Sequence, residues 1–107
     1  METKRYLTEG FHRLSRFERL ERVKDLCGLS DEDLNILSGE TPMPDEVAEH
    51  LIENVVGYFP IPLGVATNFK IDGKDLLIPM AVEETSIIAA SSATAKWIRR
   101  EGSIRTY

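Results

Sequence analysis

At 107 residues the chain holds at most one domain, and a domain of this size buries a modest core. Its make-up, 42% hydrophobic and 29% charged, is that of an ordinary globular protein. The net charge of −5 argues against a nucleic-acid or anionic-membrane surface, either of which needs clustered Lys and Arg.

The N-terminal charges have no apolar run behind them, so neither a signal peptide nor a membrane span is expected. Ser15-Arg16-Phe17-Glu18 fits a capping box, in which serine and glutamate reciprocally satisfy free amides of a first helical turn. Behind it Phe17, Leu20, Val23 and Leu26 recur every three residues and predict a helix that stops at Gly28. Arg13, Arg16, Arg19 and Arg22 gather on this stretch. Glu18, Glu21 and Asp25 interleave with them, which describes a solvated face, with a small anion as the sharper alternative. Cys27, the only cysteine, excludes an internal disulfide and a cysteine-based metal site, and reads as a small core residue beside Gly28. Ser30 followed by Asp31, Glu32 and Asp33 starts a second, short helix, because acidic side chains suit the positive end of the helix dipole, and Gly39 ends it. Pro44 at a first-turn position opens a third helix, with Val47, Leu51 and Val55 on one face and Gly57 just past its end.

From Phe59 the period changes to two. Phe59, Ile61, Leu63, Val65, Phe69 and Ile71 alternate with more polar or smaller residues, which predicts extended chain with one apolar side. Pro60 and Pro62 cannot donate ladder hydrogen bonds, so the start of this segment is expected at an edge or unpaired. Asp72-Gly73 is a two-residue hairpin turn, and Leu76 to Val82 is the return strand. A regular ladder then pairs Ile71 with Lys74, Lys70 with Asp75, Phe69 with Leu76, Thr67 with Ile78, Val65 with Met80 and Leu63 with Val82. Ser86 is placed to cap a last helix running to about Arg100. There Ala89, Ala90, Ala93 and Ala95 permit close packing, and Trp97 and Ile98 supply bulk.

Continuing the alternation past Val82 puts Glu84, not Glu83, on the apolar face. An inward Glu84 loses water, which raises its pKa and suits it to act as a general acid near neutral pH. The alternative is that the strand frays by Val82 and both glutamates are solvated. Glu53, near a helix C-terminus, meets the unfavourable end of the dipole; it is either an exposed surface residue or the partner of a buried cation supplied from elsewhere. His12 and Arg13 precede a helix N-terminus, where free amides can hold a phosphate, or are simply exposed loop residues. His50 reads as a structural or surface histidine. With His12 and His50 far apart, no metal centre is expected, and no dinucleotide fingerprint, P-loop or Ser/His/Asp order is present. The residues alone thus describe an α+β protein: N-terminal helices, a long β-hairpin and a C-terminal helix, with a candidate acid at Glu84.

The run Glu53-Asn54-Val55-Val56-Gly57-Tyr58-Phe59-Pro60-Ile61-Pro62-Leu63-Gly64-Val65-Ala66 resembles the dimerisation motif of 3-hydroxy-3-methylglutaryl-coenzyme A reductases. Ile78-Pro79-Met80-Ala81-Val82-Glu83-Glu84-Thr85-Ser86 resembles the segment that carries that family's catalytic glutamate. Gly10-Phe11-His12-Arg13-Leu14-Ser15, with Glu18-Arg19 after it, is similar to the N-terminus of the soluble bacterial and archaeal class. The resemblance runs from Phe11 to about Gly102. It implies reduction of hydroxymethylglutaryl-CoA to mevalonate and CoA by two hydride transfers from NADH or NADPH, or the reverse. It also implies a homodimer or higher oligomer, and neither nucleic acid nor membrane as a partner. A cytoplasmic setting follows as the default.

By the same resemblance Glu84 falls on the catalytic glutamate, a general acid and base at the mevaldehyde-level carbonyl. Ser86, with Thr85 beside it, falls on positions contacting the hydroxymethylglutaryl group. Glu53 falls on the glutamate that meets the catalytic lysine, within a dimer motif that includes Asn54 and Gly57. Two positions depart from the pattern. Thr85 stands where the soluble class often has proline, and His12, with Arg13 adjacent, occupies the basic position that contacts the CoA phosphate. Residues 1–57 are then expected to form an N-terminal helical segment, and 58–107 the hairpin and helix that begin the large catalytic domain. The small nicotinamide-binding domain, and the catalytic lysine, aspartate and histidine, are expected outside this chain, which alone is expected to be inactive. The competing expectation from the same residues is a non-catalytic dimerisation or CoA-thioester-binding remnant.

Overall fold

The computed structural model describes residues 8–107, so the first seven positions of the expected helical segment lie outside the described residues. The chain divides into two compact units, one formed by Glu9–Tyr58 and the other containing Phe59–Tyr107.

In the first unit a single 3-10 turn, Phe11–Arg13, precedes α1 (Arg16–Cys27), α2 (Asp31–Ser38) and α3 (Asp45–Leu51). The expected capping box starts α1: Ser15 Oγ accepts from the Glu18 amide at 3.2 Å, and Glu18 Oε2 accepts from the Ser15 amide at 2.8 Å. Gly28 ends the helix at φ 68°, a conformation glycine adopts at no steric cost. A second capping box, between Ser30 and Asp33, starts α2, and Gly39 stops it at φ 86°. Cys27 is exposed, not a core residue: it is the last residue of α1 and turns to water.

Helix α3 is shorter than its apolar pattern predicts. Pro44 is its N-cap, Leu51 its last residue, and Ile52 is already extended at φ −141°, so Val55 is not on the helix. β-branched Ile52, Val55 and Val56 disfavour helix, and Asn54, at φ 55°, lies outside the right-handed region that a longer helix would need.

In the second unit β1 (Leu63–Ile71) and β2 (Lys74–Ala81) form a two-stranded antiparallel ribbon covered by α4 (Ile87–Glu101). The turn is where expected, with Asp72 at φ 50° and Gly73 at φ 78°. Residues 59–62 lie outside the strand, and the Pro62 carbonyl accepts from the Val82 amide at 3.3 Å.

The register holds for Ile71–Lys74, Lys70–Asp75 and Phe69–Leu76, then shifts by one: Ala66 pairs with Ile78, Val65 with Pro79 and Leu63 with Ala81. Thr67 and Asn68 together oppose Leu77 in a β-bulge, and Asn68 sits at φ 70°. The expected pairs Thr67–Ile78, Val65–Met80 and Leu63–Val82 are therefore not formed. The bulge turns Gly64 and Ala66, rather than Leu63 and Val65, onto the face shared with Phe69 and with Leu76, Ile78 and Met80.

Small residues at that face let α4 approach closely. Ala66 is fully buried, Ala95 is 2% exposed, and a Cβ on Gly64 would stand 2.5 Å from Ile88 Cδ1. Ala95 alone of the expected alanines is buried; Ala89, Ala90 and Ala93 are exposed, and Trp97 is 63% exposed instead of supplying core bulk.

The groups that the bulge removes from the ladder are taken up by α4. The Thr67 amide donates to Ser92 Oγ at 2.9 Å, and Asn68 Nδ2 donates to the Ser92 carbonyl at 3.2 Å. Arg99 donates to the carbonyls of Asn68 at 3.1 Å and Phe69 at 3.3 Å, and pairs with Asp75. Beyond α4 the chain returns to the hairpin turn. Ile104 bridges Ile71 in parallel, and Asp72 accepts from both the amide and the hydroxyl of Thr106.

Candidate functional site

The residues singled out in the sequence fall in both units, so each group is described within its own. In the hairpin unit Glu83, Glu84, Thr85 and Ser86 form the connection between β2 and α4. Strand alternation ends at Ala81, and Glu84 lies on a bend, exposed to water. The expected inward placement of Glu84 on the ribbon's apolar face is therefore corrected. The ribbon stops supplying alternation at Ala81, three residues short of Glu84, so these residues give the carboxylate no apolar cover. Glu83 and Thr85 are exposed as well.

Ser86 does occupy the N-cap of α4, but not as a side-chain cap. It takes φ 75°, its hydroxyl makes no capping hydrogen bond, and its carbonyl accepts from the Ala90 amide at 2.8 Å. A serine held in the left-handed region costs on the order of 1 kcal/mol. The hydroxyl of Ser86 is not committed to capping and stands at the start of the helix, next in sequence to Thr85 and Glu84. The connection thus carries two exposed carboxylates, Glu83 and Glu84, and two exposed hydroxyls, Thr85 and Ser86, groups able to hydrogen-bond a small oxygen-rich molecule and exchange a proton with it.

In the helical unit Glu53, Asn54 and Gly57 lie on the irregular segment after α3, all exposed. Glu53 is two residues beyond the helix, so the C-terminal dipole bears on it less than the predicted longer helix implied. The same segment ends at Tyr58, whose role sequence reasoning did not single out. Its hydroxyl lies 3.2 Å from the Met43 carbonyl, 3.3 Å from that of Pro44 and 3.5 Å from Asp45 Oδ1. Loss of water around the hydroxyl, and then the charge of Asp45, hold the Tyr58 phenol above the usual tyrosine range.

His12 and Arg13 are exposed on the 3-10 turn just before α1. Two amides at that entrance, those of Ser15 and Glu18, are occupied by the capping box, which leaves an anion there the amides of Arg16 and Phe17 and the side chains of His12 and Arg13. His50 is a surface residue, its Nδ1 lying 2.6 Å from the Glu46 carbonyl. Among the described residues no cluster of His, Cys, Asp and Glu could hold a metal ion, and no helix is long and apolar enough to cross a membrane.

Fold and turn together define an α+β protein in which a two-stranded ribbon passes through an acidic, hydroxyl-bearing connection into its covering helix. The family model for hydroxymethylglutaryl-coenzyme A reductase matches residues 15–107. The chain belongs to that family. It is 50% identical over 97 residues to the 3-hydroxy-3-methylglutaryl-coenzyme A reductase of Archaeoglobus fulgidus, a match covering 91% of this chain and 22% of the relative. It is 32% identical over 90 residues to the probable reductase of Borreliella burgdorferi, covering 84% of this chain and 20% of that one. Among solved structures, the class II enzyme of Streptococcus pneumoniae bound to NADPH superposes with a TM-score of 0.78 at 36% identity, covering 92% of this chain and 27% of that chain. The chain thus spans about a fifth of the length of these curated relatives.

Proposed function

We propose that the chain is the N-terminal portion of an oxidoreductase that converts hydroxymethylglutaryl-CoA to mevalonate and CoA, or the reverse, with two NADH or NADPH. The observation that carries this reading is the family match over residues 15–107, which includes Glu53, Asn54, Gly57, Glu84, Thr85 and Ser86. His12 and Arg13 lie before it.

In this reading Glu84 is the general acid and base at the mevaldehyde-level carbonyl. A carboxylate does that work near neutral pH when apolar cover penalises its charge. The hairpin unit leaves Glu84 in water, so the cover comes from polypeptide beyond these residues or from bound substrate. Ser86 and Thr85 would hydrogen-bond the hydroxymethylglutaryl group, with the Ser86 hydroxyl free to do so because it caps nothing. Glu53 would meet a lysine supplied by the remaining polypeptide. His12 and Arg13 would face the CoA phosphate through side-chain charge. The nicotinamide cofactor, which supplies the hydrides, would be held outside this chain. The binding of NADPH by the pneumococcal class II enzyme supports a cofactor of this type. A homodimer or larger oligomer in the cytoplasm completes the proposal.

The test is an assay of hydroxymethylglutaryl-CoA-dependent NAD(P)H oxidation by a polypeptide that continues this chain to the length of its relatives. The 107 residues alone should give no turnover. In the longer polypeptide Glu84→Gln should lower kcat by about 10²- to 10⁴-fold, the usual contribution of a positioned acid or base. Normal kcat for that variant would refute the assignment of Glu84.

A further inference from the structure

Residues 53–57, which include Glu53, make no hydrogen bond or ion pair to any described residue. Burial does little for them either: of the stretch 52–57 only Val55 is even partly covered, while Val56 is fully exposed. Helix α3 before them has seven residues, far short of what a helix needs to persist in water by itself, and buries only Ala48. Yet Asn54 is held at φ 55°, a conformation that needs a reason to persist. The stretch is gripped at two points. The Ile52 amide donates to the Ala48 carbonyl at 3.2 Å, and the Tyr58 hydroxyl rests on the carbonyls that open α3.

We propose that Tyr58 is a positioning residue: by reaching back across α3 to Met43 and Pro44, its hydroxyl closes the loop 43–58 and sets where Glu53 stands. One phenol proton is shared between two carbonyls, with Asp45 Oδ1 as a longer third acceptor. The tie spans both ends of α3, so it fixes the helix and the segment after it together. Its bearing on catalysis rests on the reading of Glu53 above; its bearing on the loop does not.

Hydrogen exchange followed by mass spectrometry on the dilute full chain tests the tie directly. Tyr58→Phe should speed exchange of the hydrogen-bonded amides of α3 and its C-cap, from Val47 to Ile52, about fivefold, the loss of one ordinary hydrogen bond, and leave α4 unchanged. No acceleration there, or an equal acceleration in α4, overturns the proposal. So does acceleration by Tyr58→Leu without any by Tyr58→Phe, because the ring and not the hydroxyl would then be the anchor. In the longer polypeptide Tyr58→Phe should lower kcat about fivefold to tenfold at unchanged KM, and add nothing to Glu53→Gln. If Glu53→Gln lowers kcat and Tyr58→Phe does not, the catalytic half is overturned. If Glu53→Gln is itself without effect, the reading of Glu53 has failed, and the exchange result still decides the tie.

Discussion

Gly64 stands beneath the first turn of α4, where the space is set by one methyl group. A Cβ there would meet Ile88 Cδ1 at 2.5 Å, but that atom is the end of a side chain that can turn away. Gly64→Ala should therefore cost about 1 kcal/mol in urea unfolding, at the low end of overpacking. Adding Ile88→Val, which removes the offending methyl, should recover part of it, so the pair should be non-additive. Two carboxylates answer a different question. Asp33 is held below its usual value by the backbone and side chain of Ser30, and Asp72 by the hydroxyl and amide of Thr106. A depressed folded-state pKa gives stability that is present above the ordinary value of 3.8 and lost as pH falls through the lower folded one. Melting temperature should thus drop on acidification below about pH 4, and the drop should shrink in the Asp33→Asn, Asp72→Asn double variant. The capping box of α1 was legible from four consecutive letters because both of its hydrogen bonds are local. The facing of Glu84 was not, because it depends on the residue at which a strand lets go, and nothing between Ala81 and Glu84 marks that point.

At the level of elements, the hairpin shows what a period-two pattern can and cannot settle. The Asp72-Gly73 turn and the three pairs next to it follow from local chemistry. The bulge does not: Asn68 is a tolerable left-handed residue, not a compelling one, and its reward is tertiary, in Ser92 and Arg99. Counting alternate letters through it therefore carried Leu63 and Val65 to the wrong side. The dependence runs both ways. Ser92→Ala leaves the half-buried Thr67 amide without its acceptor and should cost about 1–2 kcal/mol. Arg99→Met removes the donor to two carbonyls and the partner of Asp75, and should cost more, with both changes read from denaturant midpoints. The length of α3 is hidden from the pattern for a related reason: Val47, Leu51 and Val55 keep helical spacing, but β-branched Ile52, Val55 and Val56 prefer extended chain.

Across the whole molecule the buried apolar side chains among the described residues are few: Phe11, Leu34, Ala48, Ala66 and Ala95. Against them Phe59 is 88% exposed, and Phe17, Leu51, Ile52, Val56 and Trp97 are also largely in water. Surfaces of this kind are covered in stable proteins, by other parts of the chain or by a second copy. The 107 residues alone should therefore sediment as a concentration-dependent mixture and bind a hydrophobic dye strongly. A single monomeric species with no dye binding would contradict this. Such behaviour belongs to folding and assembly, and is separate from the chemistry proposed for Glu84.

The surplus residue in β1 also decides which changes of chain length the strand can absorb. Removing Asn68 would regularise the ladder while Gly64 and Ala66 kept their place under α4, so only the local ties would be lost. Removing Val65 would instead swing Leu63 inward, where its bulk would wedge the helix away from the ribbon. Two deletions three positions apart in the same strand should thus have opposite fates, one a trim and the other a rupture.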